Sequence, residues 1–196
     1  AETVRLPSGG EMTLAVEHAA AILVNEQTAF RVVCTPELLP QLALGRLLTE
    51  GWITCADEVE QIAVCAEGLK VSVHLTHPLE AAAAAGQEVP SCCTDNLTLA
   101  SPLAPVPQRE IPDEWVETLA AAMGDELPLY RATHAVHSCF VLRDGKILYQ
   151  CEDLGRHNAL DKAVGCALAE GVQLGQCVLY TSGRVPVDMV RKAIRA

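Results

Sequence analysis

No apolar run in this 196-residue chain approaches the ~18 residues needed to cross a membrane as a helix. The opening residues also lack the charged-then-apolar pattern of a secretion signal. The chain starts at Ala1 rather than Met, as expected of a trimmed upstream end. Nucleotide-handling signatures are missing too. There is no G-x-x-x-x-G-K-[ST] loop and no G-x-G-x-x-G, so neither an NTPase nor a dinucleotide dehydrogenase is supported. No His is followed two residues later by Glu, and Pro90-Ser91-Cys92-Cys93 has the wrong spacing for the second half of a zinc-deaminase signature. Zinc hydrolysis and a bound metal are therefore not expected. No internal repeat is visible. Positive charge is scarce: 14 Lys and Arg face 25 Asp and Glu, for a formal net charge of −11. That balance speaks against nonspecific nucleic-acid binding.

Apolar residues make up 50% of the chain, enough for a solid core in one large domain or two small ones. A chain of this length buries roughly 70% of its unfolded surface. Nine Cys, an odd number scattered through apolar runs, suit a reducing cytosol better than a disulfide framework. Cys34, Cys55, Cys65, Cys139, Cys166 and Cys177 sit in strand-like or helical apolar contexts and read as small buried hydrophobes. Cys92-Cys93 differs, being an adjacent pair in a polar loop flanked by Pro90 and Ser91. A thiolate there needs exposure and a nearby cation or helix N-terminus to bring its pKa below ~8.5. Adjacent cysteines can take sulfur from a donor, hold a persulfide or close a vicinal disulfide. A pair without function, or half of a metal site, is the plainer alternative.

The chain is organised around Cys151 to Lys162, which includes Asp153-Leu154-Gly155-Arg156-His157-Asn158. It lies between a strand-like run, Lys146 to Gln150, and a helix-like run, Ala163 to Leu168, and so reads as a strand-to-helix turn. A second such unit follows: Cys177 to Tyr180 as strand, Thr181-Ser182-Gly183-Arg184 as turn, Val187 to Ala196 as helix. This order predicts parallel strands joined by a right-handed crossover. Both turns should then open at one carboxyl edge of the sheet, where such folds bind ligands. Each offers Gly, Arg and a helix N-terminus, a combination that favours anions, although either alone could be a solvated loop. The charge distribution agrees. Residues 1–130 carry 5 Lys/Arg against 19 Asp/Glu, whereas residues 131–196 carry 9 against 6. A modest basic surplus thus falls where the two turns are.

Upstream, Met12 to Val16, Ala21 to Val24 and Ala29 to Cys34 read as strands, with a turn at Asn25-Glu26-Gln27. Thr35-Pro36-Glu37 reads as a helix start, the helix burying Leu38, Leu39, Leu42, Leu47 and Leu48 before ending at Gly51. Val59 to Val64 and Leu69 to Leu75 are further short strands. A proline-bearing connection, Ser101 to Pro112, marks the division between a small α+β domain (1–100), ending in the cysteine loop, and an α/β domain (101–196). Pro112 to Met123 should be helical, and Asp144-Gly145 signals a hairpin. His134 and His137 would fall on opposite faces of a strand. His134 is either a cleft donor or acid/base, or a satisfied core histidine. Glu152, Asp153 and Asp161 are candidate catalytic or metal-gripping carboxylates, and Asp153 or Asn158 equally a helix cap.

Thr133-His134-Ala135, then Glu152 through Lys162, then Thr181-Ser182-Gly183-Arg184 with Met189-Val190 together resemble the FdhD family, the formate dehydrogenase accessory sulfurtransferases. Thr35-Pro36-Glu37-Leu38, Leu44-Gly45 and Thr49-Glu50-Gly51-Trp52-Ile53 are similar to that family's first domain. The resemblance implies a cytoplasmic sulfur carrier. It would take persulfide sulfur from a cysteine desulfurase and pass it to a bis-guanine-dinucleotide molybdenum cofactor, held as substrate, before that cofactor enters formate dehydrogenase. It also implies a cytidine-deaminase-like three-layer α/β domain without zinc, preceded by the small α+β domain, and a homodimer; charge and hydropathy, separately, predict no nucleic-acid or membrane partner. Residue by residue, it places the sulfur on Cys92 or Cys93 and the cofactor against His134, Gly155, Arg156, His157, Asn158, Ser182, Gly183 and Arg184. The family loop reads Cys-Gly-x-Cys-Gly where this chain has Ser91-Cys92-Cys93-Thr94. His137-Ser138 stands where the family is usually apolar, and members continue through a further strand, helix and Gly-rich tail. The altered loop keeps a second reading open: a chaperone for the cofactor or a guanine nucleotide, without chemistry.

Overall fold

The computed structural model describes residues 1–78, the backbone of 87–89, residues 103, 105, 108, 110–125 and 127–196. Cys92, Cys93 and the boundary expected near residue 100 lie outside the described residues.

An antiparallel ribbon, β1 (Glu2–Arg5) with β2 (Glu11–Leu14), precedes a larger sheet. There, β3 (His18–Val24) and β4 (Gln27–Cys34) form a hairpin. Its turn residues Asn25 and Glu26 have φ of 47° and 68°, the two left-handed conformations that match the twist of a tight hairpin. With β5 (Val59–Val64), β6 (Lys70–Leu75) and β7 (Gln87–Val89), the strand order is β5-β6-β3-β4-β7. Alternate residues Ile22, Val24, Phe30, Val32, Val71 and Val73 are buried on one face.

Helix α1 (Leu39–Glu50) covers that face. It begins later than its capping signature predicts. Leu38 takes a left-handed φ of 56° and stays exposed, while Pro40 falls in the first turn. Thr35 is drawn elsewhere, its N–H and hydroxyl donating to Asp153. The helix ends at Gly51, as read from the sequence.

After α2 (Asp113–Gly124) and the short α3 (Pro128–Thr133), β8 (His137–Arg143) and β9 (Lys146–Asp153) form the hairpin expected at Asp144-Gly145, with φ of 49° and 75°. Helix α4 (Arg156–Ala169), β10 (Val178–Thr181) and α5 (Val187–Arg195) complete the chain. The strand order is β10-β8-β9, antiparallel throughout. The expected parallel pair is real in direction but not in contact: β9 and β10 run the same way with β8 between them. The supposed turn from Cys151 to Lys162 is also much shorter. β9 continues to Asp153, and only Leu154 and Gly155 precede α4.

β8 is buried on both faces, as its apolar run implies. Cys139 and Val141 face one core with α4, while Phe140 and Leu142 face another with Leu119 of α2, giving helix, sheet and helix in three layers. α4 turns its other side to α1, and this contact is unusually close. A Cβ on Gly45 would sit 1.8 Å from the Asp161 carbonyl oxygen, and one on Gly165 1.9 Å from that of Gln41. The two helices touch backbone to backbone, so one hydrophobic cluster runs from Ala20 to Met189 through both sheets.

Candidate functional site

The two turns meet across the end of β8. Ser182 N–H donates to the Ser138 carbonyl at 3.0 Å, and Ser138 N–H donates to Ser182 Oγ at 2.9 Å. Cys139 faces Cys151 on one side and Thr181 on the other, so both flanking strands end at the same edge. Gly183 lies against the side chain of Arg156, where a Cβ would come within 2.7 Å of Arg156 Cβ and 3.4 Å of His137 Nδ1. Only glycine permits that approach.

Helix α4 starts there with Gly155 as N-cap, no side-chain cap and no acid in its first turn. Arg156 is 7% exposed, and its Nε has no hydrogen-bond partner among the described residues. A buried guanidinium nitrogen left open at an uncapped helix N-terminus suits an anion. Arg184 is exposed nearby. Burial, with Arg156 and Arg184 close, pushes the pKa of half-buried His137 down and keeps its ring neutral at pH 7. His157 is also held low, first by burial, against the opposing pull of Asp188. Its Nε2 lies 2.7 Å from Asp188 Oδ2, so the neutral ring donates there and leaves a buried acceptor at Nδ1 with no partner among the described residues.

Asn158 turns inward. Its Nδ2 donates to the Val33 carbonyl at 2.8 Å and to Asp153 Oδ1 at 3.0 Å, and its Oδ1 accepts from Arg46 at 3.1 Å. It joins a solvent-free ionic network. Lys162 Nζ is 2.7 Å from Asp153 and donates to the Thr35 hydroxyl at 2.6 Å. Arg46 Nε lies 2.9 Å from Asp161, and Lys192 Nζ reaches Asp161 at 3.0 Å, Thr49 at 2.9 Å and Glu50 at 3.2 Å. Arg46, Lys162 and Lys192 balance Glu50, Asp153 and Asp161. Burial alone pushes the Asp161 carboxyl up, but Arg46 and Lys192 bring it below the ordinary range. Asp153 and Asp161 are therefore structural anions that fix α4 against α1 and α5, not catalytic carboxylates. Asp153 also accepts from Gly155 N–H, bracing the residue that starts α4. Glu152 accepts from the N–H groups of Leu129 and Tyr130, which caps α3.

His134 is not in a strand. It ends α3 with a left-handed φ of 51°, exposed, its ring edge-on to Tyr130 at 5.3 Å. With Met123, Leu127, Tyr130, His137 and Ser182 it lines a cavity of about 620 Å³ at the same sheet edge. The structure thus gathers His134, Gly155, Arg156, His157, Ser182, Gly183 and Arg184 around one edge and places Asn158 beneath it. Sequence reasoning missed Arg46, Glu50 and Lys192. An i, i+4 charge pair set among the leucines of α1 was the available signal. Among the described residues, no group of three or more His, Cys, Asp or Glu is placed to hold a metal. Among the described residues, no helix is long and apolar enough to cross a membrane.

Fold and site together define a mixed α/β protein in which two turns and a helix N-terminus converge at one sheet edge, beside a cavity lined by His134, His137 and Ser182. The chain belongs to the FdhD/NarQ family, which it matches over residues 15–196. It is 32% identical over 215 residues to the sulfur carrier protein FdhD of Nocardia farcinica, covering 98% of this chain and 77% of that one. It is 27% identical over 195 residues to the sulfur carrier protein FdhD of Listeria monocytogenes, covering 94% and 75%. The crystal structure of a formate dehydrogenase accessory protein from Desulfotalea psychrophila matches with TM-score 0.73 and 28% identity, over 99% of this chain and 77% of that one.

Proposed function

We propose that this chain is a sulfur carrier for formate dehydrogenase maturation. Cys92 or Cys93 accepts sulfur from a cysteine desulfurase and delivers it to the molybdenum of a bis-guanine-dinucleotide cofactor bound at the basic edge. The acceptor thiolate attacks the outer sulfur of the donor's persulfide, forming a new persulfide and releasing the donor's thiolate. The cofactor's phosphates would lie on the first turn of α4 beside Arg156 and Arg184, with His134 and His137 along the cavity. In the same reading the three-layer unit is a zinc-free, cytidine-deaminase-like fold, and the protein acts as a cytoplasmic homodimer that hands its cargo to formate dehydrogenase.

The observation that carries this reading is Arg156, buried at the start of α4, which has no side-chain cap, with its Nε without a hydrogen-bond partner among the described residues. The names of the relatives support sulfur carriage and an accessory role to formate dehydrogenase.

The test is incubation with desulfurase and cysteine followed by peptide mass measurement. One extra sulfur on the peptide containing Cys92 and Cys93, and failed dehydrogenase maturation by the double Cys→Ala variant, are expected. Intact maturation by that variant would replace sulfur transfer with a chaperone role.

A further inference from the structure

Two cysteines outside the proposed carrier pair meet inside the fold. Cys151, near the end of β9, and Cys166, on α4, place their sulfurs 3.9 Å apart. Cys151 is 3% exposed and faces Cys139 across the β8–β9 ladder, whereas Cys166 is only half-buried. This asymmetry assigns their roles. The two sulfurs lie within reach of one hydrogen bond, and that contact lowers the pKa of the more exposed Cys166. The same hydrogen bond, together with burial, raises that of Cys151. Thiolate character therefore belongs to the sulfur nearer solvent, the arrangement of an attacking thiol with a shielded partner.

We propose that Cys166 is a thiol-modification site and Cys151 its resolving thiol, the pair closing to an intramolecular disulfide on reaction with a small-molecule disulfide. In the first step the Cys166 thiolate attacks one sulfur of the reagent. A protein–reagent mixed disulfide forms, and the other half leaves as thiolate. Cys151 then loses its proton and attacks Cys166 Sγ, forming the Cys151–Cys166 bond and releasing the second half of the reagent as thiol. Two protein thiols are oxidised and one reagent disulfide is reduced to two thiols. The 3.9 Å separation must shorten to the ~2 Å of a sulfur–sulfur bond by rotation of the two side chains. The bond joins residues 15 apart. It encloses Asp153, Gly155, Arg156, His157 and Asn158, so the oxidised state ties strand to helix around the anion site. The step uses neither Cys92 nor Cys93 and stands apart from the sulfur-carrier reading.

The test treats the native full chain with glutathione disulfide, titrated until exposed Cys55 and Cys65 are fully modified, and maps peptides without reduction. A cross-linked peptide joining Cys151 and Cys166, two hydrogens lighter than its reduced components, is expected. Cys151→Ser should stop at a stable glutathione adduct on Cys166, and Cys166→Ser should leave Cys151 unmodified. Full modification of Cys55 and Cys65 with no cross-linked peptide in the wild-type chain overturns the proposal. So does an adduct on Cys151 in Cys166→Ser.

Discussion

At the scale of single residues, the site depends on side chains that are absent as much as on those present. Gly183 lets its turn lie on Arg156, and a methyl group there would force the root of the Arg156 side chain to move. Gly183→Ala should therefore weaken binding of guanosine diphosphate by about tenfold, roughly 1.4 kcal/mol, while leaving the denaturation midpoint nearly unchanged. Titration calorimetry together with urea unfolding checks both halves. The motif from Gly155 to Asn158 was legible in the sequence as a strand-to-helix turn and a candidate site, but the direction of each side chain within it was not. At 3.6 residues per turn, Arg156 lies at the edge, His157 and Asp161 share the face that meets Asp188 and Lys192 of α5, and Asn158 and Lys162 share the face that meets Val33 and Thr35. What decides this is Arg46, 112 positions from Asn158, and no local pattern around Asn158 reports so distant a partner.

At the scale of elements, the contact between α1 and α4 decides how the two sheets are held. Gly45→Ala would drive a methyl group into the backbone of α4. Overpacking of this kind costs about 1–3 kcal/mol, and a rigid backbone opposite puts this case at the upper end. A drop in the urea midpoint, with lost protection of α4 amides in hydrogen exchange, is the expected result. Helix α5 is docked differently, by charge. Asp188 and Lys192 lie one turn apart on its buried face, one holding His157 and the other completing the network with Asp161, Glu50 and Thr49. Lys192→Met leaves a buried anion uncompensated, which should cost about 3–5 kcal/mol. It should also loosen His157, seen as a changed imidazole signal in NMR.

These elements also show why parts of the fold could be read in advance. Both hairpins announced themselves, because Asn25 and Asp144-Gly145 favour the left-handed turns they adopt. The start of α1 did not. Thr35-Pro36-Glu37 carries a capping signature, but Asp153 bonds Thr35 from 118 residues away. The sequence order of β9, α4 and β10 settles that the two strands point the same way. It says nothing of β8 inserting between them, since strand order follows from which faces are apolar, and β8 is apolar on both.

At the scale of the whole molecule, a chain of net charge −11 keeps a basic edge in which His137 lies beside Arg156 and Arg184. Without a ligand, burial and the two arginines hold the pKa of His137 below its unfolded value of about 6.5. In that window the unfolded chain binds a proton before the folded one does. This contribution to stability is present above about pH 6.5 and is lost as pH falls toward the folded pKa. Acidification also reduces the overall negative charge and its self-repulsion, so the histidine effect is read as a difference from His137→Gln. Wild type should lose stability relative to that variant between pH 7.5 and pH 5.5, about one unit either side of the unfolded pKa. A phosphate-bearing ligand reverses the sign, because its charge offsets the arginines and favours protonated His137. Guanosine diphosphate should therefore bind wild type more tightly as pH falls through about 6.5, and the trend should vanish in His137→Gln. If both proteins show the same pH dependence, the anion is held away from this edge, and Arg156 needs another partner.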